Sequence, residues 1–232
     1  MQVQYLKEKE HIMEKFLNLI VVIMYQLFNS LFEQYSQYET YDVVLEMFAV
    51  LFGLLSVWFS KNNNILVYPT GMISTSIFVY LLYKWFLLGD MIINAYFFFM
   101  SIYGWFIWSR KKNNVFTPIS HLNYNEIKTS VYIFFTSLLT VYLVYMYFDK
   151  WNSFTAYIDN LTTAIFFVGM WLMANRKIEN WLFWILGDII SVPLYFYKGL
   201  TFTSLQYLIF TFIAISGYYS WKKILNKLPQ TA

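Results

Sequence analysis

The sequence predicts an all-α polytopic membrane protein. Its plan is two parallel three-helix repeats joined by a linking helix (3+1+3), preceded by an extra N-terminal helix. Three observations predict this. First, of 232 residues, 59% are hydrophobic and only 12% charged, whereas soluble domains run near half apolar and a quarter charged. Second, the apolar residues fall into eight stretches, each close to the ~20 residues a spanning helix needs. Third, several features of the first half return in the second at a spacing of 113 residues.

The eight stretches cover about 12–33, 42–60, 65–84, 90–109, 129–148, 158–175, 180–198 and 203–221. The first, FLNLIVVIMYQLFNSLF, contains Asn18, Gln26 and Asn29. That polarity suits either a span or an amphipathic helix lying in the interface. Charge placement favours a span. With eight spans, 13 of the 16 basic residues fall on one side and 3 on the other, namely Lys84, Lys150 and Lys198. Without the first span the split is 10 against 6. The positive-inside rule then places both termini in the cytoplasm. The opening MQVQYLKEKEHIMEK mixes both charges and lacks the pattern of a cleaved signal.

The longest polar connection, KKNNVFTPISHLNYN from Lys111 to Asn125, separates the halves. The expected divisions are 1–39 for the extra helix, 40–112 for the first repeat, 113–150 for the loop and linking helix, and 151–232 for the second repeat and tail. The third helix of the first half ends YGWFIWSRKK and the last helix ends SGYYSWKK. Gly104 and Gly217, Trp108 and Trp221, and Trp58 and Trp171 all stand 113 residues apart. Tyr83-Lys84 and Tyr197-Lys198 fall one residue off that spacing, and Gly71 and Gly187 further off, as small insertions would produce. One linking helix gives the two units the same orientation, with an axis along the membrane normal. Transporters of this plan hold substrate where the repeats meet, near the bilayer midplane.

The chain has no cysteine, and His11 and His121 lie far apart in polar stretches, so no metal site is expected. It contains no GxxxxGK[ST], HExxH or GxSxG. Neither an enzyme nor a cofactor is expected. The patches RKK and WKK read as orientation signals rather than nucleic-acid sites.

Polar residues at membrane depth are the remaining signal. The run from Glu179 to Gly199, ENWLFWILGDIISVPLYFYKG, places Trp181, Trp184, Asp188, Ser191 and Tyr195 on one helical face. A carboxylate at that depth is costly and faces a cavity or a partner. For Asp188 the plain alternative is a hydrogen bond to a neighbouring helix; for the two tryptophans it is the interfacial aromatic belt. As a set they suit a flat, cationic solute, because ring faces attract cations and stack on planar groups. Thr203, Gln206, Tyr207 and Thr211 lie together on the last helix and offer donors and acceptors for sugar hydroxyls. Helix–helix hydrogen bonding is their alternative. Asn94, with Asp90 and Ser101 on its face, is the candidate from the first half, and Asp90 caps its helix near the surface. Asp42 and Glu46 form an acidic pair at a helix start, favouring the positive helix end. Tyr68 and Ser74 are weaker liners. Pro193 removes one helical hydrogen bond and supplies a kink or hinge.

These residues carry a resemblance. The run Glu179 to Trp184, then Asp188, Pro193 to Leu200, Leu205 to Tyr207, and Gly217 to Trp221 resembles the PnuC family of bacterial nicotinamide riboside transporters. The likeness is densest over about 160–223 and weak over the first 40 residues. It implies a fold similar in plan to SWEET sugar transporters. It also implies uptake of nicotinamide riboside across the bacterial inner membrane by facilitated diffusion, with trapping through phosphorylation by a separate cytoplasmic kinase. A homo-oligomer, a trimer, is implied by the family alone. The family's W-x-x-W falls on Trp181 and Trp184. Relatives specific for thiamine or deoxynucleosides keep those solutes as alternatives, ahead of a membrane enzyme or sensor.

Overall fold

The computed structural model describes residues 2–33, 39–85, 88–112, 115–149, 151, 154–198 and 201–227. The chain divides into two compact units, Met1–Val43 and Val44–Ala232. The first unit contains α1 (Gln2–Glu33), which includes the expected stretch 12–33 and begins ten residues before it. Its side chains from Met13 to Gln26 are exposed.

The second unit is built on α2 (Thr40–Lys61) from Val44 onward, α3 (Val67–Lys84), α4 (Leu88–Ser109), α5 (Tyr124–Tyr147), α6 (Phe154–Ala174), α7 (Asn180–Tyr197) and α8 (Thr201–Leu225). All-α is thus the architecture, with one small departure. The loop after α4 carries a two-residue ribbon, β1 (Lys111–Lys112) antiparallel to β2 (Val115–Phe116). Among the described residues, α2, residues 91–109 of α4, α5 and α6 are each long and apolar enough to cross a membrane on their own. By contrast α7 and α8 are interrupted by polar residues, among them Asn180 and Asp188 on α7 and Gln206, Lys222 and Lys223 on α8.

Helix α5 starts at Tyr124 rather than near 129 because Asn123 and Glu126 form a capping box. The Asn123 side chain accepts from the Glu126 amide at 3.0 Å, and the Glu126 carboxylate accepts from the Asn123 amide at 2.9 Å. Two of the orphan amides of the first turn are satisfied this way.

The turns after α2 and α6 are built alike. Each helix ends with a left-handed residue, Asn63 at φ 52° and Arg176 at φ 54°. Asn63 donates to the Ser60 carbonyl at 2.9 Å and Asn64 to the Phe59 carbonyl at 2.9 Å. After α6, Arg176 donates to Met173 at 3.0 Å and Lys177 to Leu172 at 2.9 Å. Both are the paired bonds of a Schellman cap. Every residue of the second set lies 113 positions after its counterpart. Asn tolerates the left-handed region; Arg does so less readily and is held from outside. The Arg176 guanidinium donates to the Thr117 carbonyl and lies 4.1 Å above the Trp108 ring. Burial lowers the Arg176 pKa from its usual value, and the nearby Tyr68 opposes that shift.

The core gathers at this same end, around Val67, Tyr68, Trp108, Ile119, Met170, Met173, Ile178, Trp181, Ala214 and Trp221. Tyr68 meets Trp108 edge-on at 5.1 Å, and Trp181 meets Trp221 edge-on at 5.6 Å. A Cβ at Gly104 would overlap the Tyr68 ring, and one at Gly217 would overlap the Trp181 ring. These glycines let a large ring lie against the helix backbone.

The loop before α5 is strapped to the α6–α7 turn. Ser120 forms a parallel bridge with Lys177, through Ser120 N to Arg176 O and Ile178 N to Ser120 O, both 3.1 Å. Glu179 accepts from the Leu122 amide at 3.2 Å and lies 2.8 Å from the His121 imidazole. Lys177 pairs with Glu126 at 2.8 Å.

Candidate functional site: an aromatic ladder beside Asp188

Four rings from three helices form a ladder. Trp184 on α7 stacks on Phe166 of α6 with centroids 5.5 Å apart and planes 29° apart. Phe166 stacks on Tyr207 of α8 at 6.0 Å and 12°. Tyr207 stacks on Tyr195 of α7 at 5.0 Å and 20°. At its far end the Lys198 ammonium lies 5.0 Å from the Tyr195 ring. The same ammonium bonds both oxygens of Asp159, at 2.5 and 2.7 Å. Trp184 also meets Phe97 of α4 in a tilted contact at 6.2 Å. Beyond that, Tyr96 stacks on Phe167 at 3.8 Å and donates its hydroxyl to the Phe167 carbonyl at 3.0 Å.

Two glycines lie beneath the ladder. At Gly169 an added Cβ would lie 3.3 Å from the Phe183 Cβ and in ordinary contact, 3.5 Å, with the Trp184 Cε2. Gly187 seats Phe166, whose ring an added Cβ would overlap. Asp188 follows immediately and is 3% exposed. Among the described residues no hydrogen bond or ion pair reaches its carboxylate. A carboxylate buried at this depth is stabilised by a cation or by polar partners.

The expected site residues separate into groups. Trp184, Tyr195 and Tyr207 are in the ladder, all half-buried. Trp181 stands apart from them: it is 1% exposed and packed in the core against Gly217 and Trp221. Its indole N–H has no hydrogen-bond partner among the described residues. Gln206 and Thr203 are half-buried on α8, and Asn94 is half-buried on α4. The Thr211 hydroxyl donates to the Tyr207 carbonyl at 2.9 Å, and that of Ser101 to Phe97 at 2.8 Å. Ser74 likewise donates to Ala49 at 2.7 Å. Tyr68 belongs to the core. Glu46 is half-buried on α2, while Asp42 belongs to the N-terminal unit. The side chain of Asp90 lies outside the described residues.

Sequence reasoning missed Phe166, Phe97 and the Asp159–Lys198 pair. The signal for Phe166 was available. A strict spacing of 113 sets Phe166 on Gly53, Trp184 on Gly71, Gly187 on Ser74 and Tyr207 on Asn94. The contacts follow it: a Cβ at Gly53 would lie 3.1 Å from the Ser74 hydroxyl, and one at Gly71 would lie 3.0 Å from that of Ser56. Gly187 therefore corresponds in its contacts to Ser74, not to Gly71, and no insertion is needed between them.

The helix arrangement defines a class, the helical multi-pass membrane proteins. The chain belongs to the nicotinamide mononucleotide transporter family, whose model matches residues 43–223. It is 26% identical over 202 residues to the nicotinamide riboside transporter PnuC of Escherichia coli (strain K12), covering 76% of this chain and 84% of that one. It is 20% identical over 197 residues to the riboflavin/roseoflavin transporter RibM of Streptomyces davaonensis, covering 82% and 89%. Its fold matches the crystal structure of the vitamin B3 transporter PnuC with a TM-score of 0.61 at 23% identity, over 81% of this chain and 84% of that one. These relatives and this fold are those of transporters rather than enzymes.

Proposed function

We propose that the protein carries nicotinamide riboside across the bacterial inner membrane by facilitated diffusion. The observation that carries this reading is the Trp184 face, stacked into a ladder one turn before the buried Asp188. Nicotinamide riboside pairs a flat pyridinium cation with a ribose. The Trp184 face suits the ring by stacking and by its quadrupole. Asp188 offsets its charge. Gln206, Thr203, Tyr195 and Asn94 supply donors and acceptors for the ribose hydroxyls. Trp181 acts one step removed, by holding the start of α7 against α8.

In this reading two three-helix units, α2–α4 and α6–α8, rock against each other about the site, with α5 linking them. The recurrence of contacts at 113-residue spacing supports that division. Both termini face the cytoplasm and the protein assembles as a trimer. Net uptake is driven by phosphorylation of the riboside by a separate cytoplasmic kinase. Thiamine, also a flat cation, is the nearest rival solute, and a flavin is raised by the similarity to RibM. Titrating the purified protein with all three solutes tests the reading. Saturable binding of nicotinamide riboside, stronger than that of thiamine or riboflavin, is expected. Preference for either rival contradicts it.

A further inference from the structure

Trp184 stands one helical turn from Trp181, and Trp181 belongs to the packed end of the bundle. This is the end at which α2, α4, α6 and α8 finish and α7 begins, since Trp221 on α8 bonds Ser60 on α2 and Trp108 on α4 bonds Ala174 on α6. Four fully buried rings meet here in series. Tyr68 of α3 touches Trp108 of α4, Trp108 touches Trp221 of α8, and Trp221 touches Trp181 of α7. The series crosses from the first half of the chain to the second. It forms a plug one turn beyond Trp184 towards this end.

The fastenings of the plug also cross between the halves. Besides the two indole bonds, the Tyr103 hydroxyl donates to the Asn175 side-chain carbonyl at 3.3 Å. Ser60 and Ala174 stand in the last turns of α2 and α6, two helices long and apolar enough to span the bilayer. Both indole acceptors therefore lie at the level of the membrane boundary, where water is available. A bond there is exchanged for bonds to water at little net cost, whereas a polar group freed in the hydrocarbon core has no such replacement. The boundary also accommodates tryptophan, with its ring among the headgroups and its N–H wet. A seam made of these parts opens without stranding a polar group.

We infer that the Trp108–Trp221 seam is a gate. It is closed in this structure, and it opens between the ends of α2 and α8 and of α4 and α6 to release the solute from Trp184 on this side. The inference rests on the proposed function for the solute site at Trp184; the opening of the seam does not depend on it.

The test uses the full chain in lipid nanodiscs. The chain has no cysteine, so two thiols can be placed without others to remove. Spin labels on Arg110→Cys and Lys222→Cys, both exposed at the ends of α4 and α8, report the seam by electron double resonance. A main short distance with a minor longer one is expected. Trp108→Phe with Trp221→Phe keeps both rings and removes both bonds, and the ratio of long to short is expected to rise roughly fivefold or more. Should the double variant not fold, each single one is expected to raise the ratio roughly twofold or more. A ratio unchanged by these substitutions, or no longer distance in any of the proteins, overturns the inference whatever the solute.

A second arm locks the seam. Tyr103→Cys with Asn175→Cys, joined by a short bifunctional thiol reagent, is expected to bind nicotinamide riboside as the untreated protein does. Its uptake into liposomes is expected to stop and to return when the link is reduced. Undiminished uptake at complete cross-linking overturns the gate. A wild type that binds and carries no nicotinamide riboside contradicts the proposed function, and the distance measurement alone then decides whether the seam opens.

Discussion

Trp108 and Trp221 hold reciprocal bonds. The Trp221 indole donates to the Ser60 carbonyl at 2.8 Å, at the end of α2. The Trp108 indole donates to the Ala174 carbonyl at 3.2 Å, at the end of α6. The two rings meet at 5.9 Å. Each half of the chain thus caps a carbonyl at the end of the other half's first helix, and the Ser60 hydroxyl adds a contact to Met173 Sδ at 3.2 Å. Replacing either tryptophan by phenylalanine keeps a ring but removes one bond, although the Ser60 carbonyl keeps its bond from the Asn63 amide. Trp221→Phe and Trp108→Phe are each expected to cost about 1 kcal/mol, lowering the melting temperature by about 2–4 °C. Thermal unfolding in detergent reads this directly. A loss confined to one of the two would show that the bonds are not equivalent.

The glycines opposite the two core rings make a second prediction. Gly104→Ala and Gly217→Ala force a methyl into Tyr68 and Trp181, respectively. Overpacking of this kind costs about 1–3 kcal/mol. Trp181→Phe, being smaller, is expected to recover part of the loss in Gly217→Ala and none of it in Gly104→Ala. Equal effects of Trp181→Phe in both backgrounds would contradict the contact.

The two tryptophans of the W-x-x-W run are expected to fail differently. Trp184→Ala removes a stacking face and is expected to weaken riboside binding by about 1–3 kcal/mol, the range for ring stacking on an aromatic side chain. Trp181→Ala empties part of the core and is expected to cost about 3–5 kcal/mol of stability. Titration and melting of the same samples separate these. Intact affinity in Trp184→Ala would remove the ladder from the site.

Asp188 is expected to discriminate by charge. Asp188→Asn keeps the shape and discards the negative charge. Affinity for a cationic riboside should fall by about 1.5–3 kcal/mol, as for hydrogen bonds to charged groups, and affinity for a neutral nucleoside by less. Equal losses would assign Asp188 to helix packing.

The Asp159–Lys198 pair is partly screened, with side chains 18% and 24% exposed. Lys198→Ala is expected to cost about 1–2 kcal/mol, between the ranges for exposed and buried pairs. Exchanging the two residues, Asp159→Lys with Lys198→Asp, is expected to restore part of it. A melting temperature no better in the exchanged protein than in Lys198→Ala would contradict a direct pairing.

The helices were readable because each apolar run is bounded by polar residues, and the bilayer sets its length. Their edges were less so. The N-x-x-E of Asn123 and Glu126 is a capping signature inside what reads as a polar loop, and it moves the start of α5 earlier. The face shared by Trp181 and Trp184 follows from helical spacing, but their different surroundings do not. Burial of Trp181 comes from Gly217 and Trp221 on α8, far along the chain. Phe166 looks like one more lipid-facing apolar residue until it is aligned with Gly53 at the 113-residue spacing. The exchange of bulk between halves then marks it out. Asp159 and Lys198 gave no sign of pairing, because they sit at the ends of two different helices, where charge is expected in any membrane protein.

The most direct measurement is uptake of nicotinamide riboside into liposomes containing the purified protein, with and without a riboside kinase and ATP trapped inside. Without kinase, the riboside is expected only to equilibrate. With kinase it should accumulate as phosphorylated product, at a rate that proton and sodium ionophores leave unchanged. Uptake that collapses with either ionophore would contradict facilitated diffusion. Uptake of thiamine or riboflavin with none of nicotinamide riboside would contradict the assigned solute.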